Sequence, residues 1–240
     1  MKITSIIFLK FFLLLLISCT SCGKEITNEL LVENGEEYSQ ENTEITDLEK
    51  KGSVFQIKGL GCNSLQYGTG FFVEENIVVT NAHVVAGVNS PRIIHNGSEH
   101  ELAFISLDPN SDLAILRSES FSSKPLRLDE AEEGEFGTIQ AFIKDGNIVI
   151  TDVKIREKIL AVGKDIFGQP GESREALSLE ARIESGFSGA PVLNEDFAVV
   201  GVVFSRSRGG SSTAYAVQSS EVKKILKKEP DLSSSTNCIP

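Results

Sequence analysis

The sequence predicts an all-β fold, built as a β-sandwich or as β-barrels, with one helix close to the C-terminus. Three observations support this prediction. Short runs rich in β-branched and aromatic residues dominate residues 53–240. Clusters of Gly, Asn and Asp separate these runs at short intervals, a spacing typical of sandwiches and barrels. Helical periodicity is clear in one segment alone, near the end of the chain.

The predicted strands fall into two groups. Residues 117–126 are polar, serine-rich and contain proline, and they divide the apolar runs into a first and a second set. This division indicates two small barrels. The runs begin at Val54, Gly70, Ile77, Arg92, Leu102 and Leu113 in the first set, and at Thr138, Ile148, Ala198 and Thr213 in the second.

The predicted helix follows the last strand. Val222, Ile225 and Leu226 are spaced three and four residues apart, which places them on one face of a helix. Ser219 or Ser220 is expected to cap its N-terminus, because a serine hydroxyl can accept a hydrogen bond from a free N–H of the first turn.

The N-terminus has the composition of an export signal. Lys2 and Lys10 accompany an apolar run, Phe11–Ile17, that is too short to span a membrane. The run leads into Cys19 and resembles the bacterial lipobox, which implies cleavage after residue 18 and lipidation of Cys19. One alternative is a non-lipidated export signal. The other is a redox or zinc role for Cys19 and Cys22, which form a Cys-x-x-Cys motif, although the sequence has no second cysteine pair at ligand spacing.

The segment after the signal is acidic. Residues 24–52 contain nine acidic residues and three lysines, with almost no apolar periodicity. Such a segment cannot bury enough apolar surface to offset its ordering entropy, so a disordered tether is predicted, with an acidic binding tail as the alternative. The formal net charge of −11 argues against a nucleic-acid-binding protein. The usual phosphate-binding loop and the His-Glu-x-x-His zinc motif are both absent from the sequence.

Three residues in the folded part can perform one reaction together. His83 follows an apolar strand, Asp112 precedes another, and Ser188 lies in a Gly-x-Ser-Gly turn. Taken singly, each is more typical of a structural residue. Their combination matters because a serine hydroxyl needs an imidazole to take its proton, and the imidazole needs a carboxylate to fix its tautomer. Glycines beside the serine allow backbone N–H groups to surround an oxyanion.

The segments around these residues are Gly68–Phe71, Val78–Val85, Asp112–Leu116, Gly186–Val192 and Val200–Phe204. In order and spacing they resemble the trypsin/chymotrypsin-like serine proteases of the bacterial exported branch. Segments Val153–Glu157, Asp165–Gly168 and Ala214–Val217 are similar to the periplasmic acid-resistance subgroup of that branch.

The resemblance implies two six-stranded antiparallel β-barrels with the active site between them. It implies His83 as general base, Asp112 as the acid that orients it, and Ser188 as nucleophile. The N–H groups of Gly186 and Ser188 would form the oxyanion hole. The expected organisation is a lipoprotein signal peptide (1–18), an acidic linker (19–52), a first barrel (53–120) and a second barrel with the helix (121–240).

The function that this resemblance implies is a serine endopeptidase that cleaves cell-envelope or extracellular proteins through an acyl-enzyme. No cofactor and no metal are expected. The expected partners are a protein or peptide substrate and, through the lipid anchor, the membrane, but no nucleic acid. A catalytically silent, lipid-anchored binding protein on the same fold is the alternative, because a fold does not determine a function.

Two positions depart from the family pattern. Phe187 stands where the family often has Asp or Asn, and Ala190 stands where a second glycine is common. In the digestive branch that Asp pairs with a newly cut N-terminus, so Phe187 implies that activation by such a cut is absent. The remaining histidines, His95 and His100, lie in or beside a turn at Asn96–Ser98 and are predicted to be surface residues.

Cys62 and Cys238 remain once the other two cysteines are assigned to the export region. An oxidising compartment permits a disulfide between them, and the family resemblance implies a bridge in comparable places. Free structural thiols are the alternative. A Cys62–Cys238 disulfide would attach the C-terminal tail to the first barrel.

Overall fold

A computed structural model of the chain describes residues 52–207 and 212–240. Within them, six antiparallel strands form the first barrel, in the order β1-β2-β3-β6-β5-β4. Pairing of Ile57 on β1 with Ile93 on β4 closes it. Its elements are β1 (Val54–Gly61), β2 (Ser64–Glu74), β3 (Ile77–Thr80), α1 (Ala82–Val85), β4 (Arg92–His95), β5 (Ser98–Asp108) and β6 (Leu113–Ser118).

The second barrel is also closed, in the order β10-β11-β12-β9-β8-β7, and Val192 on β10 pairs with Ile139 on β7. The prediction of two six-stranded antiparallel barrels with a short C-terminal helix is therefore confirmed. The elements are β7 (Phe136–Phe142), β8 (Ile148–Ala161), β9 (Arg174–Glu180), β10 (Pro191–Asn194), β11 (Val199–Arg206), β12 (Thr213–Gln218) and α2 (Ser219–Lys227).

Apolar side chains on both faces of the central strands hold the two barrels together. Successive residues of a strand point to opposite faces, so Phe72 on β2 lies in the core of the first barrel while Phe71 faces the second. Val202 on β11 and Val222 on α2 belong to the same inter-barrel cluster as Phe71. The continuous apolar runs of these strands are the sequence signature of this double burial.

Several local predictions need correction. Residues 82–85 form the one-turn helix α1, where the sequence indicated only a tight turn. Strands β9 and β10 are absent from the runs that the sequence predicts. Ser219 and Ser220 do not cap α2, whose N-cap is Gln218. Both serines lie inside the first turn, after the N-cap, and their hydroxyls donate to the Asp129 carbonyl and to the Glu175 carboxylate.

The C-terminal tail returns to the first barrel. A disulfide joins Cys62 to Cys238, with the two Cα atoms 5.7 Å apart. The Gly87 N–H donates to the Ser235 carbonyl (2.8 Å), and the Leu107 N–H donates to that of Asp231 (2.9 Å). The tail is therefore held against the first barrel by backbone hydrogen bonds as well as by the disulfide.

The predicted signal peptide, Cys19 and almost all of the acidic linker lie outside the described residues. Within residues 52–207 and 212–240, neither helix is long and apolar enough to cross a bilayer.

Candidate active site

His83 and Asp112 lie together at one end of the first barrel. Strand β3 ends at Thr80, and α1 then directs the His83 ring toward the turn between β5 and β6. That turn forms because the Asp108 carboxylate accepts from the Asn110 N–H (3.0 Å), an Asx-type reversal. Asp112 follows it with a left-handed backbone (φ 57°), a conformation that aspartate tolerates better than most residues.

Both carboxylate oxygens of Asp112 bind His83. Nδ1 of the ring lies 2.7 Å from Oδ2, and the backbone N–H of His83 donates to Oδ1 at 2.9 Å. The Asp112 side chain is only 7% exposed, while that of His83 is 30% exposed. Because an ionised carboxylate only accepts hydrogen bonds, Nδ1 carries the proton and Nε2 is the basic nitrogen of the neutral ring. This tautomer is the one that a general base requires.

The same contact changes the acidity of the imidazole. Burial disfavours the imidazolium and by itself lowers the pKa of His83, but the charge of Asp112 and its hydrogen bond outweigh burial. The pKa of His83 is therefore raised above its ordinary value of 6.5. The ring takes up a proton at a higher pH than a free histidine does, and it is neutral only above this raised pKa.

Asn81 holds the backbone of Asp112. Its side-chain amide donates to the Asp112 carbonyl at 2.8 Å, and the Ala82 N–H donates to the same oxygen at 3.1 Å. Asn81 is fully buried. The carbonyl and the carboxylate of Asp112 are thus both bound by the segment that carries His83, which gives the pair one relative geometry.

Ser188 lies in a tight loop of the second barrel whose shape requires glycine on both sides. Gly186 and Gly189 have φ values of 104° and 83°, in the region that favours glycine. A Cβ on Gly186 would lie 2.2 Å from the Phe142 carbonyl oxygen, and one on Gly189 would lie 2.1 Å from that of Thr69. Phe187, 1% exposed, anchors the loop in the core of the second barrel.

Between Gly186 and Ala190, two backbone donors have no partner among the described residues. The Phe187 N–H donates to the Glu184 carbonyl, and the Gly189 and Ala190 N–H groups donate to the carbonyls of Val203 and Phe187. By contrast, the N–H groups of Gly186 and Ser188 donate no hydrogen bond within residues 52–207 and 212–240. These two N–H groups are the donors that the sequence predicts for an oxyanion hole.

Gly68 connects the serine loop with the histidine segment. A Cβ on Gly68 would lie 2.8 Å from the Ser188 carbonyl oxygen and 2.7 Å from Cγ2 of Val84, which follows His83. Both segments therefore touch the same strand residue. The structure brings His83 and Asp112 into direct contact. The hydrogen bonds of the described residues include none between the Ser188 hydroxyl and His83, and Ser188 is linked to the histidine segment through Gly68.

The family model of the trypsin-like peptidase domain matches residues 68–202, more than half of the chain and all three of these residues. The chain belongs to the trypsin-like peptidase family.

This trypsin-like peptidase is 33% identical over 181 residues to the serine protease Rv3671c of Mycobacterium tuberculosis, covering 73% of the chain and 46% of that protein. The crystal structure of the active form of Rv3671c superposes with a TM-score of 0.76, covering 83% of this chain and 90% of that one at 30% identity. Rv3671c is the protease MarP, so the resemblance to the periplasmic acid-resistance subgroup is confirmed.

A probable periplasmic DegP-like serine endoprotease of Chlamydia muridarum is 28% identical over 171 residues, covering 66% of the chain and 33% of that protein. The chain thus spans less than half the length of these curated relatives.

His95 and His100 are half-buried, whereas the sequence predicts that they are surface residues. They lie on β4 and β5, and both rings pack against Phe121, with centroids 5.0 Å and 4.6 Å away. The sequence placed them beside a turn but gave no sign that a residue more than twenty positions away would cover them. Within the described part of the chain, no three His, Cys, Asp or Glu side chains are grouped as metal ligands would be.

Sequence reasoning missed two buried residues that shape the site, Asn81 and Thr69. Both stand inside segments that carry the family resemblance, yet their contacts are with Asp112 and with the serine loop, 31 or more residues away along the chain. Only the fold reveals those contacts.

Proposed function

We propose that the chain is a serine endopeptidase that cleaves cell-envelope or extracellular proteins. The observation that carries this proposal is the 2.7 Å contact of His83 Nδ1 with buried Asp112, which leaves Nε2 as the basic nitrogen. The two unengaged N–H groups of the serine loop support it. A carboxylate that binds both the ring and the backbone N–H of His83 fixes the tautomer and the orientation that a general base requires.

In the proposed reaction, His83 Nε2 takes the proton of the Ser188 hydroxyl as Oγ attacks the carbonyl carbon of the peptide bond. The Gly186 and Ser188 N–H groups donate to the oxyanion of the tetrahedral intermediate. The imidazolium then protonates the leaving amine, and an acyl-enzyme remains on Ser188. Water, deprotonated by His83, releases the acid product and restores the serine.

Asp112 has two roles in this mechanism. It selects the Nδ1–H tautomer, and its charge stabilises the imidazolium formed when Ser188 loses its proton. The raised pKa of His83 supports the second role, since it reports the same stabilisation in the resting protein.

We further propose that no newly cut N-terminus switches this site on. The residue before Ser188 is Phe187, buried in the apolar core of the second barrel among side chains such as Ile139 and Val200. It has no charge to pair with an amino group. Its apolar packing supports a serine loop that is anchored without an ion pair.

A fluorophosphonate probe tests the proposed activity. The wild-type protein is expected to be labelled, with the adduct on Ser188 rather than on neighbouring Ser185 when the labelled peptide is sequenced by mass spectrometry. Ser188→Ala should abolish labelling, and Ser120→Ala, at an exposed serine of the inter-barrel segment, should retain it. A folded wild type that resists the probe across pH would favour the silent binding protein instead.

The N-terminal predictions form a separate part of the proposal: export by residues 1–18, lipidation of Cys19 and tethering by residues 19–52, with barrels at 53–120 and 121–240. The periplasmic assignment of the DegP-like relative supports an exported protein. Metabolic labelling with an alkyne fatty acid in a bacterial host tests the anchor. Cys19→Ser should abolish incorporation while Cys22→Ser retains it; incorporation that survives Cys19→Ser would contradict lipidation.

A further inference from the structure

Thr69 is a fully buried residue of β2 that contacts the serine loop of the other barrel. Its backbone N–H donates to the Ser188 carbonyl at 2.8 Å. Its hydroxyl donates to the Gly186 carbonyl, also at 2.8 Å. One side chain and one backbone group of Thr69 therefore bind the carbonyls of both residues whose N–H groups would bind the oxyanion.

The Thr69 hydroxyl donates one hydrogen bond and accepts another. While it donates its one proton to Gly186, it accepts from the Phe142 N–H at 2.8 Å. Phe142 ends β7, and its carbonyl oxygen lies against Gly186, 2.2 Å from where a Cβ would stand. The hydroxyl thus connects the end of β7 to the serine loop, with no proton to spare for another partner.

Gly186 needs such an external constraint. Glycine loses more conformational freedom on folding than any other residue, and a φ of 104° is one of many conformations open to it. Rotation of the backbone at Gly186 would turn its N–H away from the oxyanion. Its carbonyl is fixed by Thr69, and Phe187, which follows in the same peptide unit, is fixed by core packing.

We propose that Thr69 is a positioning residue for the oxyanion hole. It acts by holding the Gly186 and Ser188 carbonyls, so that both N–H groups converge on one point before substrate binds. Thr69 does not itself touch the reacting atoms. This inference rests on the proposed peptidase function and extends it to a residue of the first barrel.

Thr80 provides a matched comparison. It is equally buried, and its hydroxyl donates to the Thr69 carbonyl at 2.7 Å. Thr80→Val therefore removes a buried hydroxyl beside Thr69 and leaves in place the Thr69 hydroxyl that binds the Gly186 carbonyl. Thr69→Val removes that hydroxyl and keeps the side-chain shape, whereas Thr69→Ser keeps the hydroxyl and loses only a methyl group.

The test compares these variants for peptide hydrolysis. In Thr69→Val, kcat should fall roughly 10- to 100-fold with KM little changed, because displacing an oxyanion donor weakens only transition-state binding. Thr69→Ser should restore kcat to within a few-fold of wild type, and Thr80→Val should lose far less than Thr69→Val. If Thr69→Val proves unfolded, Thr69→Ala takes its place. The smaller side chain leaves space for water to bind the Gly186 carbonyl and the Phe142 N–H, which lose their partner. Wild-type kcat in the folded variant, or equal losses in Thr69→Val and Thr80→Val, would overturn the proposal.

Hydrogen exchange separates this inference from the peptidase proposal, because it requires no turnover. The Phe187 and Ala190 amides, which are hydrogen-bonded within the serine loop, should exchange faster in Thr69→Val than in wild type or Thr80→Val. Unchanged exchange at these amides contradicts the positioning role, even if the enzyme is active. Faster exchange in a protein whose wild type hydrolyses no peptide would contradict the peptidase proposal alone.

Discussion

The disulfide between Cys62 and Cys238 offers a quantitative test of how the tail stabilises the protein. The bonded residues are 176 positions apart. In the chain-entropy model, closing a loop of this length lowers the entropy of the unfolded chain by an amount worth about 5 kcal/mol. We therefore expect the double variant Cys62→Ser, Cys238→Ser to lose about 2–5 kcal/mol of unfolding free energy, since measured losses generally fall below the model.

Urea denaturation followed by circular dichroism measures this loss. Reduced wild-type protein should unfold at the same urea concentration as the double variant, and added reductant should leave the double variant unchanged. The hydrogen bonds of the tail through Ser235 and Asp231 act only in the folded state, so they add to stability without replacing the loop closure. A loss below about 1 kcal/mol would refute the reasoning, because the unfolded chain would then not be constrained by the bridge.

Two further predictions concern the site. Asp112→Asn removes the charge that raises the pKa of His83. The acid limb of the kcat/KM pH profile, which lies above pH 6.5 in wild type, should therefore move to lower pH, and kcat should fall roughly 10⁴-fold. An acid limb that stays in place would contradict the role of Asp112. Phe187→Ala should cost about 3–5 kcal/mol of stability and also lower kcat, because the side chain anchors the serine loop. As a control, Phe55→Ala in the first-barrel core should lower the unfolding free energy by a similar amount but leave kcat of the folded protein near that of wild type. Equal losses of kcat in the two variants would show that Phe187 acts through stability alone.

The architecture followed from local features of the sequence. Strands such as β1 and β3 combine β-branched residues with clear turn signals at their ends, so periodicity located them. Helix α1 has only four residues, too few to establish a helical period. The N-cap of α2 was assigned wrongly because a serine at a helix start can also bind a distant carbonyl, as Ser219 does.

The sequence likewise predicts some residues of the candidate site and not others. His83, Asp112 and Ser188 stand in short motifs, so their chemistry was visible in the sequence, and the fold brings the first two into contact. Thr69 and Asn81 act by binding backbone carbonyls. Every residue has a backbone carbonyl, so the sequence does not indicate which one they bind. The packing of His95 against Phe121 likewise depends on barrel closure, which no local pattern encodes.

The central claim is that His83 and Ser188 act as one catalytic unit, and a double-mutant cycle on peptide hydrolysis tests it most directly. Ser188→Ala and His83→Ala should each lower kcat by a factor on the order of 10⁶, and the double variant should be no slower than either single variant. Losses that multiply in the double variant, or substantial turnover retained by Ser188→Ala, would contradict it.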